Sequence, residues 1–233
     1  MNIADSIKKD LQEIADPSQV AGVSRFFKSG KGEYGEGDQF LGIKVPKQKE
    51  VAKRYYKEAS LKDIQELLQS PIHEHRLTAL QVLCLKYPKG TEEEKKAYYE
   101  FYLNNLEHIN NWDLVDLSAY KIVGEYLLDK DRSIIYKLAK TDYLWTQRVS
   151  LLTTYRFIKE KDFKDALNLA EYFISSKHDL IQKASGWMLK EIGKMDEKLL
   201  INFLDKHYKQ MPRTMLRYCL EKLSDSQRKH YLS

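Results

Sequence analysis

The 233-residue chain has little of what interrupts or cross-links a fold: only five prolines and two cysteines. Two thiols cannot build a structural zinc site without histidine partners at suitable spacing. His73 and His75 stand two apart, which on a helix turns them to different faces, so a metal is not expected; nor is any other cofactor. Cys84 and Cys219 lie inside helical apolar runs and read as reduced core thiols. No apolar run reaches the ~18 residues of a membrane span. The opening MNIADSIKKDLQEIAD is an amphipathic helix rather than a signal peptide, and the expected location is the cytoplasm. Strand signals are missing as well. Pro17, Pro46, Pro71, Pro88 and Pro212 fall where helices would begin or end.

What is present is helix-forming sequence from end to end. A hydrophobic share of 42% over this length fills a sizeable core, as one domain or two tightly joined ones. The net charge of +5 admits an anionic partner without naming one. Five of the ten glycines crowd into SGKGEYGEGDQFLG, residues 29–42. Neither Lys31 nor Lys44 is followed by Ser or Thr, so the segment is no GxxxxGK[ST] phosphate cradle. It reads as a flexible connection between N-terminal helices.

The informative feature is a repeat. HEHRLTALQVLCLKY (73–87), NWDLVDLSAYKIVGEY (111–126), LWTQRVSLLTTYRFIK (144–159), LIQKASGWMLKEIGK (180–194) and QMPRTMLRYCLEKLS (210–224) align on Arg76, Asp113, Arg148, Lys183 and Arg213, at intervals of 37, 35, 35 and 30 residues. Second amphipathic helices follow, as in TEEEKKAYYEFYLNNL and KDFKDALNLAEYFISS. Helix pairs at such a period predict an all-α solenoid of HEAT-like or armadillo type, each unit burying its apolar face only against its neighbours. The expected organisation is one superhelical domain over 1–233. Residues 1–70 form N-terminal helices with the glycine loop, and 71–233 form about five repeats.

At 100° per residue, the aligned position and those one before, three, four and seven after it share a face of about 140°. That face holds His75, Trp112, Gln147 and Gln182, then the aligned charges, then Asp116, Trp187 and Arg217, then Tyr120, Tyr155 and Lys190. Leu114, Val149, Ala184 and Met188 fall opposite, as a core face. A basic stripe interleaved with Trp and Tyr along a concave wall suits a nucleic-acid backbone; an acidic protein ligand is the alternative.

NNWDLVDLSAYKIVG, LWTQRVSLLTTYRFIK, LIQKASGWMLKEIGK, MPRTMLRYCLEKL and, after the glycine loop, LGIKVPK resemble the motifs of the AlkD family, alkylation-repair DNA glycosylases built from HEAT-like repeats. The resemblance covers nearly the whole chain. It implies that Asp116, four residues after the Trp of WDLVD, is the catalytic acid, and that Trp112 and Trp187 flank the lesion. Arg148 in TQRVS would contact the DNA backbone beside it. Those four lie on the stripe that periodicity alone defines. Gln39, Lys183, Lys190, Arg213 and Arg217 are further candidates for DNA contacts. The implied activity is hydrolytic release of cationic alkylpurines, 3-methyladenine and 7-methylguanine, from duplex DNA without burying the base. With no lysine set up for strand cleavage, the enzyme would be monofunctional. The expected partner is alkylated double-stranded DNA, with the protein a monomer in a bacterial-type cytosol. The competing function is a non-enzymatic repeat scaffold that binds DNA or protein.

Residue by residue, plainer roles stay open. Trp112 and Trp187 suit packing between helices, as does Trp145 at the start of its helix. Asp113 suits a first-turn acid beside an Asn111 cap. Asp116 could bond Tyr120 or a nearby lysine, and Arg148, Lys183 and Arg213 could be solvated helix ends.

Overall fold

The computed structural model describes residues 2–233. Among them are fourteen α-helices and no strand, the only β-type pairing being a single parallel bridge between Gln39 and Ile72. The all-α, helical-repeat architecture read from the period is the one observed. Contacts divide the chain into two compact units, Met1–Ile122 and Val123–Ser233. The first repeat helix, residues 73–86, packs on the helices that precede it.

The first unit runs α1 (Ile3–Glu13), α2 (Pro17–Phe26), α3 (Val45–Tyr55), α4 (Leu61–Leu68), α5 (His73–Lys86), α6 (Glu92–Asn104) and α7 (Trp112–Ala119). Local chemistry sets the ends. Asn2 caps α1 by accepting the Asp5 N–H at 2.7 Å. Ser60 with Asp63, and Thr91 with Glu94, form reciprocal capping boxes on α4 and α6. Pro17 occupies the first turn of α2 and Pro46 that of α3, where the missing N–H costs nothing. The central α5 is buried from His73 through Leu83 and packs on α1, α3, α4 and α7. Beyond Ala119 the chain continues as a π turn, Tyr120–Gly124, which ends the α register that the sequence pattern assumes for Tyr120.

The second unit runs α8 (Ser133–Ala139), α9 (Leu144–Lys159), α10 (Lys164–Tyr172), α11 (Asp179–Met195), α12 (Glu197–His207), α13 (Arg213–Cys219) and α14 (Asp225–Leu232). The long α11 lies against α9, α10, α12 and α13. Its approach to α13 depends on Gly186, where a Cβ would stand 2.5 Å from the Met215 carbonyl oxygen. The five sequence repeats are therefore α5, α7, α9, α11 and α13, each followed by one further helix.

A side-chain bond marks the period independently. Gln147 Nε2 donates to the Thr141 carbonyl at 2.6 Å, and Gln182 Nε2 to the Ser176 carbonyl at 2.9 Å. Arg76 Nη1 makes the same six-residue reach to the Ser70 carbonyl at 3.0 Å. Each ties a helix to the turn that feeds it. Gln147 and Gln182, placed by angle on the ligand face, thus serve the scaffold.

The glycine-rich loop differs from the expected flexible connection. The Glu74 carboxylate accepts the backbone N–H groups of Leu41, Gly42 and Ile43 at 3.0, 2.8 and 3.2 Å. The Gln39 backbone pairs with Pro71 and His73. Gly42 has a positive φ of 78°, and a Cβ there would meet the Asp16 carbonyl oxygen at 2.1 Å, so only glycine fits. The loop is thus clamped at its C-terminal half.

Candidate functional site

α7 sets the first part of the site. Asn111, fully buried, caps the helix by accepting the Trp112 N–H at 2.8 Å. Trp112 follows as the first helical residue, and Asp116 lies one turn further on. Both are half-buried. Leu114 and Ser118 on the opposite side are fully buried, as are Val115 and Ala119 on the flank between. Ser118 exchanges a 2.9 Å bond with the buried Tyr102 hydroxyl. The helix is therefore anchored by one face, with the indole and the carboxylate on the other.

The Trp112 ring stacks on Phe27 with centroids 5.3 Å apart and planes at 22°, and meets Phe26 edge-on at 5.5 Å. Phe26 itself is 63% exposed, at the end of a helix that buries none of its residues. Offset stacking and edge contacts of this kind add about 0.5–1.5 kcal/mol per pair beyond area burial.

Beneath that ring lies a buried charged network. His73 Nδ1 bonds Asp38 at 2.9 Å and His73 Nε2 bonds Asp113 at 2.9 Å. Arg76 Nη2 reaches the other Asp38 oxygen at 2.5 Å, and Asn111 donates to Asp38 at 3.3 Å. Burial alone would lower the His73 pKa, but Asp113 and then Asp38 overcome it and raise the value to about 9. His73 is therefore an imidazolium at neutral pH, donating from both nitrogens. Burial works against ionised Asp38 too, yet His73 and Arg76 hold its pKa below the ordinary carboxylate value. Two carboxylates face two cations, as buried charge requires. Asp113 is more than a first-turn acid: besides its bond to His73 it accepts the Leu114 N–H at 2.8 Å.

In the second unit Trp187 is half-buried. Its ring lies 5.7 Å from that of Tyr155, and its Nε1 donates to Glu191 at 3.0 Å. Lys194 pairs with the same carboxylate at 2.6 Å. Arg148 is 4% exposed, and its Nη1 donates to the Leu180 carbonyl at 2.6 Å. Trp145 is core, as expected.

The remaining candidates scatter in character. Lys183 pairs with Asp179 at 2.9 Å and Lys190 with Glu221 at 2.7 Å. Arg213 is exposed and donates to the Leu232 carbonyl at 3.0 Å; Arg217 is exposed. Gln39 is exposed, although its backbone is the bridge to α5. The aligned charges thus form no uniform solvent-facing stripe: Arg76 and Arg148 are buried, and His75 beside Arg76 is buried too. The reason is local. Each guanidinium found an internal carbonyl, and the glycine loop covers the first copy.

Within the first unit the structure brings Trp112 and Asp116 together on one face; within the second it brings Trp187 beside Tyr155. Sequence reasoning missed His73, Asp38, Phe26 and Phe27. The HEHR run was visible, but the histidine's carboxylate partners lie 35 and 40 residues away, beyond any periodic signal. Among the described residues no group of three or more His, Cys, Asp or Glu is placed to hold a metal ion.

A family described as DNA alkylation repair enzyme matches residues 7–223. No curated protein matches the chain. Among solved structures it is similar to a predicted DNA alkylation repair enzyme from Enterococcus faecalis, at 18% identity and a TM-score of 0.70, over 91% of this chain and 97% of that one. It is also similar to AlkD2 from Streptococcus mutans, at 16% identity and a TM-score of 0.58, over 89% and 98% of the two chains. A third likeness is to smu.31 from Streptococcus mutans UA159, at 17% and 0.57, over 78% and 93%. At such identities these likenesses establish a shared fold.

Proposed function

This chain belongs to the family of DNA alkylation repair enzymes, and on that premise we propose that it is a monofunctional glycosylase. It hydrolyses the N-glycosidic bond of cationic alkylpurines, 3-methyladenine and 7-methylguanine, in duplex DNA. The observation that carries the reading is the pair on α7: an indole and a carboxylate one turn apart, both half-buried, on a helix whose other face is sealed.

The chemistry suits those groups. Methylation at N3 of adenine or N7 of guanine makes the base a cationic leaving group, so no general acid is needed. Departure of the base builds positive charge on the deoxyribose, and the Asp116 carboxylate would stabilise it and orient the attacking water. At ~4 Å and an effective dielectric of ~20, a unit charge pair contributes about 4 kcal/mol, or about a thousandfold in rate. Trp112 and Trp187 would add cation–π attraction to the charged base and sugar. The family resemblance gives Arg148 the phosphate beside the lesion, a contact its buried guanidinium would have to make alongside, or in exchange for, its bond to the Leu180 carbonyl. Glycosylases generally extrude the base into a pocket; here the lesion is expected to stay in the stack, with neutral damaged bases as poor substrates. The protein would act as a monomer in the bacterial cytosol.

The test is release of free 7-methylguanine from methylated plasmid by wild type and by Asp116→Asn. Wild type should release base, and the variant should lose at least about a hundredfold of that rate. DNA binding by wild type with no base released would sink the enzymatic reading and leave a binding scaffold.

A further inference from the structure

We propose that His73 is the positioning residue for Trp112: clamped between Asp38 and Asp113, it fixes the angle at which the indole is presented. The inference rests on the assignment of Trp112 to the site, and no part of it requires His73 to touch DNA.

Two routes run from the imidazole to the indole. The first is polar. Asp113 directly follows Trp112, and its carboxylate is held at 2.9 Å by His73 Nε2. On the other side, Asp38 takes His73 Nδ1 at 2.9 Å and the Asn111 amide at 3.3 Å, on one and the same oxygen. Asn111 in turn accepts the Trp112 N–H at 2.8 Å. Both residues that flank Trp112 are thus tied, directly or through Asp38, to one ring. The second route is a stack. The His73 ring lies 4.6 Å from Phe27 and 5.2 Å from Phe40. Phe27 stacks on Phe40 at 5.6 Å and on Trp112 at 5.3 Å.

The charge count explains why a histidine is used. Asp38 and Asp113 need two cations, and Arg76 supplies one. A doubly protonated imidazole supplies the other while donating in two nearly opposite directions, which neither Lys nor a neutral amide does. His73 is 2% exposed, so water cannot stand in for either bond. Loss of the ring leaves both carboxylates short of a donor, breaks the link from Asp38 to Asp113 so that the loop keeps only the longer Asn111 bond to the start of α7, and removes the plate against which Phe27 rests. Trp112 then keeps its place in the helix but loses a single orientation.

The experiment uses full-length protein labelled with 5-fluorotryptophan. Its three indole resonances, one for each Trp, are assigned by single Trp→Phe substitutions. His73→Gln should shift or broaden the Trp112 resonance while that of the core Trp145 stays in place. Asp113→Asn, which leaves His73 one charged partner and the same connectivity, should move it less. In single-turnover assays with excess protein on methylated duplex, His73→Gln should slow base release by roughly ten- to a hundredfold, the scale expected for a misplaced group. Affinity for undamaged duplex should change less than about twofold, since no phosphate contact is lost. An unmoved Trp112 resonance in a folded His73→Gln protein overturns the inference, as does movement of all three resonances together. Should the variant fail to fold, Asp38→Asn replaces it, with the same Trp112-selective shift expected and an unmoved resonance again decisive against. Wild type that releases no base defeats the glycosylase reading alone, because the resonance still reports whether His73 sets the indole.

Discussion

Arg148 shows how a single side chain can leave the face that its helical angle assigns to it. By angle it belongs with Asp113 and Lys183, yet its guanidinium is buried and engaged with the Leu180 carbonyl. Arg148→Ala leaves that carbonyl without this donor and should lower Tm, by an amount consistent with about 1–3 kcal/mol. Contact with a phosphate has a separate signature, a fall of about one in the slope of log affinity against log salt. Titrations of duplex binding across salt concentrations separate the two. A lower Tm with an unchanged slope would make Arg148 an internal strut. The pairing of Trp112 with Asp116 was readable from spacing, because one turn of helix is enough to place them. The partners of Arg148 were not, since a long, flexible side chain chooses its acceptor from groups far away in sequence.

At the scale of elements, the helices were largely legible and their close approaches were not. All five prolines mark ends: Pro71 precedes α5, Pro88 sits in the short 3-10 turn Tyr87–Lys89, and Pro212 caps α13. Gly186 stands next to Trp187 in the sequence, with nothing local to show what it faces. In the structure an added Cβ would stand 2.5 Å from the Met215 carbonyl oxygen and 2.6 Å from the Tyr218 Cβ. Backbone cannot yield as a side-chain tip can. Gly186→Ala should therefore destabilise by about 1–3 kcal/mol through overpacking, despite a gain of about 1 kcal/mol in helix propensity. Thermal melts check the sign, and a raised Tm would show that α11 and α13 separate freely. The glycine loop was misread for a related reason. Its composition signals freedom, but its anchors, Glu74 and His73, belong to α5, not to the α3 helix that directly follows it.

Across the whole molecule, stability should be greatest near neutral pH, for reasons that rest on two neighbouring histidines. His73 has its folded pKa raised to about 9 from an ordinary 6.5. Its contribution is complete below 6.5 and disappears as pH climbs through 9. Burial, aided by Lys8 and Arg76, lowers His75 to about 4, so the folded state resists protonating it and loses stability as pH falls from 6.5 towards 4. Asp38, depressed below its ordinary value, adds to the loss on the acid side. Melting curves from pH 5 to 9.5 should trace a dome, and His73→Gln should flatten its alkaline limb. A limb equally steep in the variant would remove His73 from the balance. The period of the repeats made the architecture legible, because stacked helix pairs must repeat their apolar faces. The pH response was hidden in tertiary neighbours.

The amides of Leu41, Gly42 and Ile43 converge on one carboxylate, the concave arrangement of successive N–H groups that elsewhere welcomes an oxyanion. Here Glu74 is a resident plug. A phosphodiester that approaches this stretch finds the main chain already spoken for, and only protruding groups such as Gln39 and Lys44 remain to greet it.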